Sequence, residues 1–152
     1  MGVRILAILA LGVVFGLASN TNATAAKELV KYVVKDGAIA KSLTGKPGDA
    51  AKGRKLAINR KKGNCLACHV MPIPEQAFHG EVGPDLAGVG GRMSEGKIRL
   101  QIVDPKRNIS DSIMPSFYRT AGFTKVLKKF KGKTILSAAE VEDLVAYVKT
   151  IK

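Results

Sequence analysis

The chain has 152 residues, 46% of them apolar and 5% aromatic, with no tryptophan, and carries a formal net charge of +13. This length supports one domain of the usual ~100–200 residues and excludes a large multidomain enzyme. The apolar share argues against wholesale disorder, and two cysteines are too few for a disulfide-rich scaffold.

Met1 to Arg4 is a short basic start, followed by a continuous apolar and glycine run from Ile5 to Ala18 and then polar Ser19 to Thr24. Ala23-Thr24-Ala25 has the small-x-small pattern of a signal-peptidase site. The pattern predicts a secretory signal peptide over 1–25, so that the mature chain starts at Ala26 and works outside the cytoplasm, in the periplasm of a cell that has one. A retained anchor is the alternative, but the run is short against the ~20 apolar residues of a span. Past residue 20 no run is long enough to cross a bilayer, so no membrane span is expected in the mature protein.

The charge of the remaining chain is uneven: 27–62 and 97–133 each carry a net +8, whereas 63–96 carries −3. An exported chain rarely meets nucleic acid, so no nucleic-acid partner is expected and acidic proteins or anionic substrates are better candidates. A solvated lysine face that maintains solubility is the plainer alternative.

Residues 26–47 read as an extension packed onto the main domain, beginning with a weakly amphipathic stretch (Leu29, Val30, Val33, Val34) and breaking at Gly45 and Pro47. The domain itself spans 48–152. Ala50, Leu56 and Ala57 at helical spacing behind Asp49 predict a first helix over 49–59 with Asp49 as its N-cap. Residues 70–92, with Pro72, Pro74, Pro84 and many glycines, predict a long irregular loop. Ser94 to Val103 predicts a helix that stops before Pro105. Ser137-Ala138-Ala139-Glu140 is a capping box, and Val141, Leu144, Val145 and Val148 behind it give the i, i+3, i+4, i+7 stripe of a buried helix. The expected fold is all-α with long loops. A loop of this length in a small domain usually performs a function or wraps a ligand.

Cys65-Leu66-Ala67-Cys68-His69 is a C-x-x-C-H motif, the attachment signature of c-type haem. On one helical turn, positions i, i+3 and i+4 share a face. Both sulfurs then reach the vinyl groups of one haem while the imidazole reaches the iron. Two rivals use the same residues. A thioredoxin-like dithiol would need βαβ patterning, and strand signals are scarce; a zinc site would need a fourth ligand, for which only His79 or a carboxylate could serve. Without either, an exported C-x-x-C would close as a disulfide.

A haem iron held by one histidine for electron transfer takes Met or His on its other side. Met71 follows His69 too closely to swing to the distal face, and Met93 is poorly supported. His79 lies in the loop, where it could instead bond a propionate or face solvent. Met114, in Ile113-Met114-Pro115-Ser116-Phe117, is the preferred distal ligand, because Pro115 holds it in extended geometry after an intervening helix.

Gly48 to His69, Gly83-Pro84-Asp85-Leu86, the Met114-Pro115 segment and the last helix with Tyr147 together resemble the class I cytochrome c fold. The resemblance implies that the Pro84 carbonyl orients the ring of His69, and that the first and last helices cross at Gly53 against Tyr147. More narrowly, residues 72–86, Ile102-Val103-Asp104-Pro105, 113–119 and 141–147 resemble the SoxX family, the small cytochrome subunits of SoxAX complexes. That likeness implies one covalently bound haem c, a SoxA subunit as partner, and a part in attaching thiosulfate oxidatively to a cysteine of the SoxYZ carrier protein, an L-cysteine S-thiosulfotransferase reaction. It implies Cys65 and Cys68 as thioethers, His69 and Met114 on the iron, no catalytic residue on this chain, and transfer of electrons from SoxA to cytochrome c acceptors. A free periplasmic class I cytochrome c electron carrier is the alternative.

Overall fold

The computed structural model describes Met1 and residues 29–152, so the expected signal peptide and its cleavage site lie outside the described residues. Four α-helices carry the domain: α1 (Ala50–Ile58), α2 (Val89–Arg92), α3 (Glu95–Val103) and α4 (Ala138–Thr150). Single 3-10 turns at Cys65–Ala67, Pro105–Arg107 and Lys128–Phe130 punctuate the loops. Among the described residues there is no strand, only an isolated bridge between Lys35 and Ala38. The all-α expectation holds.

The helix ends follow from their capping residues. The Asp49 carboxylate accepts from the amides of Ala51 and Lys52 and starts α1, and Ser94 Oγ accepts from the Lys97 amide at the start of α3. At α4 the capping box is complete: Glu140 N–H donates to Ser137 Oγ, while Ser137 N–H donates to Glu140 Oε2 at 2.8 Å. Burial pushes the Glu140 carboxyl pKa up, but the Ser137 amide and the Lys62 ammonium together outweigh that and hold it below the usual range.

The first and last helices pack through a missing side chain. A Cβ on Gly53 would stand 2.7 Å from Tyr147 Cβ and closer still to the Asp143 carbonyl oxygen, so only glycine lets α1 approach α4 here. The predicted stripe of α4 is buried as expected, with Val141, Leu144, Val145 and Val148 facing the core. Helix α3 differs from a surface helix, since Gly96, Ile98, Arg99, Leu100, Ile102 and Val103 are all buried. Neighbours on several sides cover it, which explains why its apolar residues do not keep to one face.

Residues 29–47 supply part of that cover. The stretch forms no helix, and Val30 and Val33 are exposed, whereas Ile39 and Leu43 are buried in the core. Arg99 and Glu142, 2% and 3% exposed, form a bidentate pair with both N–O distances at 2.8 Å. The same pair ties down the extension: Arg99 Nη1 donates to the Ile39 carbonyl at 2.7 Å, and the Leu43 amide donates to Glu142 Oε1 at 2.9 Å. Every strong donor and acceptor of the pair thus has a partner, which a buried charge requires.

Candidate haem site

The C-x-x-C-H segment sits on one tight helical turn. Cys68 and His69 amides both donate to the Cys65 carbonyl, at 3.1 and 3.0 Å. That turn brings positions 65, 68 and 69 to one side, as the spacing predicts, and leaves both cysteines as free thiols. Burial pushes the Cys65 thiol pKa up to about 11, against the opposing pull of its own backbone hydrogen bond, and the nearby Cys68 adds to the rise.

The glycine-rich loop lies along this turn and is held to it by main-chain bonds. Gly80 and Gly83 amides donate to the Leu66 and Cys68 carbonyls, each at 2.7 Å, and the Leu86 amide donates to Val70 at 3.0 Å. A Cβ on Gly83 would stand 2.7 Å from His69 Nδ1 and 2.9 Å from Nε2, so the loop backbone cradles the imidazole where a side chain would displace it. His69 Nδ1 lies 2.7 Å from the Pro84 carbonyl oxygen. A carbonyl can only accept, so Nδ1 carries the proton and Nε2 keeps its lone pair for an electrophile such as iron.

Met114 lies on a separate segment of the chain. It is half-buried and packs on the core cluster, with its amide donating to Ser112 Oγ at 3.3 Å. Beyond Pro115 the chain is fastened to the end of α3: Phe117 and Tyr118 amides donate to Ile102 and Val103 at 3.1 and 3.3 Å, and Ser116 Oγ donates to Asp104 Oδ1 at 2.7 Å. Met93 is also half-buried against the core; Met71 is buried, and its amide donates to His79 Nδ1 at 3.3 Å. His79 is thereby committed to the backbone on the cysteine side, with Nε2 buried and unpartnered among the described residues.

These residues fit a covalent haem. Two free thiols and an imidazole with an available nitrogen share one turn, the ring's orientation is fixed by Pro84, and the Gly83 cradle leaves no space for any side chain against it. The zinc alternative finds no fourth ligand: among the described residues no group of three or more His, Cys, Asp or Glu is placed to hold a metal ion. Sequence reasoning missed Asp104, Ser116 and Arg119 around the methionine segment. Their signal was a lone acid at the end of an apolar helix, which spacing alone does not connect to a serine twelve residues later.

No curated protein sequence matches the chain. The cytochrome c family model matches residues 50–152. The crystal structure of SoxXA from P. pantotrophus contains a similar chain at 35% identity and a TM-score of 0.74, the match covering 80% of this chain and 94% of that one. A cytochrome c domain implies covalently bound haem c, for which residues 65–69 have the attachment spacing. With the helices, the crossing at Gly53 and the cysteine-histidine turn all in place, the chain belongs to the cytochrome c family and is a SoxX-type member with the class I fold.

Proposed function

We propose that this chain is the monohaem electron-transfer subunit of a SoxAX-type L-cysteine S-thiosulfotransferase. The observation that carries the reading is the likeness to a SoxXA chain over four-fifths of the sequence, well beyond the motif shared by all c-type cytochromes. Cys65 and Cys68 would hold the haem as thioethers, and His69 Nε2 and the Met114 sulfur would ligate its iron. When bound, the haem supplies a one-electron redox centre whose thioether ligation favours the ferrous state over bis-histidine ligation.

The chain's own residues bind, orient and insulate. Pro84 holds His69 in the tautomer whose Nε2 is free to ligate. Gly83 admits the ring, and main-chain bonds from 80–86 keep the turn rigid, so little reorganises as charge changes. With both cysteines consumed, no thiol remains for sulfur chemistry. Joining thiosulfate to a carrier cysteine forms one S–S bond, releases the thiol proton and frees two electrons. The catalytic thiol therefore belongs to the SoxA partner, and this chain takes the electrons singly from it and passes them to cytochrome c acceptors. The setting is the periplasm, after removal of residues 1–25.

Co-expression with a SoxA-type subunit tests this reading. A stable heterodimer that reduces cytochrome c when given thiosulfate and SoxYZ, where neither subunit does so alone, is the expected result. A chain that stays monomeric beside that partner, yet exchanges electrons freely with soluble cytochromes, would make it a free carrier instead.

A further inference from the structure

Two ion pairs of the domain each contain a buried carboxylate, and the fold uses them differently. Arg99–Glu142 fastens the extension through Ile39 and Leu43. The second pair, Asp104 with Arg119, stands beside the methionine. Asp104 is 4% exposed and accepts from Ser116 Oγ at 2.7 Å and from Arg119 Nη1 at 3.1 and 3.2 Å. Ser116, 6% exposed, is two residues from Met114. Pro115 between them has no N–H, so the first tie after the methionine is this side-chain bond.

Two residues of chain span at most about 7 Å, so fixing Ser116 confines Met114 to a small volume. Arg119 extends the hold downstream: its Nε and Nη2 donate to Ala121 and Gly122 carbonyls at 3.2 and 3.3 Å, and its guanidinium lies 5.0 Å from the Phe123 ring. On the near side, Lys106 Nζ donates to the Ser112 carbonyl. The hydroxyl pKa of Tyr32, from the extension, is raised by burial and then by the Asp104 carboxylate, against the opposing pull of Arg107 and Arg119. A desolvated carboxylate of this kind contributes little net stability and is better spent on fixing one geometry.

We propose that Asp104 is a positioning residue for the distal ligand, holding the Met114 segment against the haem through Ser116 and Arg119. The inference rests on Met114 being that ligand. Its content is that loss of Asp104 frees the thioether to leave the iron while the fold survives.

The test uses ferric holoprotein and three readouts: the long-wavelength charge-transfer band of thioether-ligated haem, imidazole affinity, and thermal midpoint. Asp104→Ala should weaken the band and raise apparent imidazole affinity about tenfold or more, because affinity scales with the fraction of protein whose iron is open. Ser116→Ala should shift affinity in the same direction by less, and it carries the test if Asp104→Ala yields no holoprotein. Glu142→Gln, at the other buried pair, should lower the midpoint without changing imidazole affinity. Unchanged band and affinity in both Asp104→Ala and Ser116→Ala, with only a lower midpoint, would overturn the proposal. Met114→Ala separates the two levels: if the band persists in that variant, the ligand reading itself falls and the positioning role falls with it.

Discussion

The two segments proposed to ligate the haem iron are fixed by different means. On the cysteine side, His69 is held by main chain: a helical turn, three amide-to-carbonyl bonds from the 80–86 loop, the Pro84 carbonyl, and a glycine where any Cβ would strike the ring. On the methionine side, the Asp104 carboxylate ties Ser116 and Arg119 of one short segment, the Ser116 tie standing closer to Met114 than the Phe117 and Tyr118 amide bonds to the end of α3 that also fasten it. Main-chain clamps resist substitution of neighbouring residues, because the bonding groups are common to all of them. Side-chain clamps fail one atom at a time. The proximal half should therefore be the rigid, permanent attachment, and the distal half the place where ligation is adjusted.

The largest expected effect removes the attachment itself. Cys65→Ser or Cys68→Ser should leave a poorly folded chain, since the haem completes the core of a domain poor in aromatics. Circular dichroism and thermal melts check this, and equal midpoints for haem-free and haem-loaded protein would contradict it. Glu142→Gln comes next. Breaking a buried pair leaves Arg99 with only the exposed Glu95 carboxylate at 4.0 Å and typically costs about 3–5 kcal/mol, measured by denaturant unfolding, with the haem spectrum unmoved. A shifted spectrum in that variant would blur the distinction between the extension seam and the site.

Gly83→Ala probes the main-chain clamp directly. Its new Cβ would press on the His69 ring, so the ferric spectrum should change and stability should fall by about 1–3 kcal/mol. An unchanged spectrum would mean the loop yields more easily than its hydrogen bonds imply. Ser137→Ala, remote from both sides, should cost about 1 kcal/mol and leave the haem alone.

Titration gives a smaller, signed effect on the haem-free chain. The Cys65 thiol is raised from near 9 to about 11 in the folded form, so its contribution is whole below pH 9 and is lost as pH rises towards 11. Whatever folded structure the haem-free chain retains should lose stability across that window, and alkylating Cys65 should remove the dependence. A flat profile in the unmodified chain would show that the thiol is better hydrated than its surroundings suggest.

Much of this was legible in the sequence because it is written in local patterns. The Asp49 and Ser137 caps, the α4 stripe and the cysteine-histidine spacing each act over a few residues, and each appears where the pattern puts it. Resemblance supplied the rest of the proximal side, bringing Pro84 to His69 and Gly53 to Tyr147. The extension read as amphipathic over 29–34 but makes no helix, because its buried anchors are Ile39 and Leu43 further along. Arg99 and Glu142 passed unnoticed: each sits on a helix, Arg99 between Ile98 and Leu100 and Glu142 beside Asp143, where a charge reads as solvent-facing until its partner 43 residues away is known. Asp104 was hidden for the same reason. Long-range polar pairing has no period, so it emerges only from the fold.

All of this depends on a haem bound through Cys65 and Cys68 and ligated by His69 and Met114, as proposed above. The visible spectrum of the purified protein, oxidised and then reduced with dithionite, is its sharpest test. The account predicts a low-spin ferric spectrum with the thioether charge-transfer band, and on reduction the sharp α-band of a c-type haem. Colourless protein, or a high-spin ferric spectrum without that band, would contradict it.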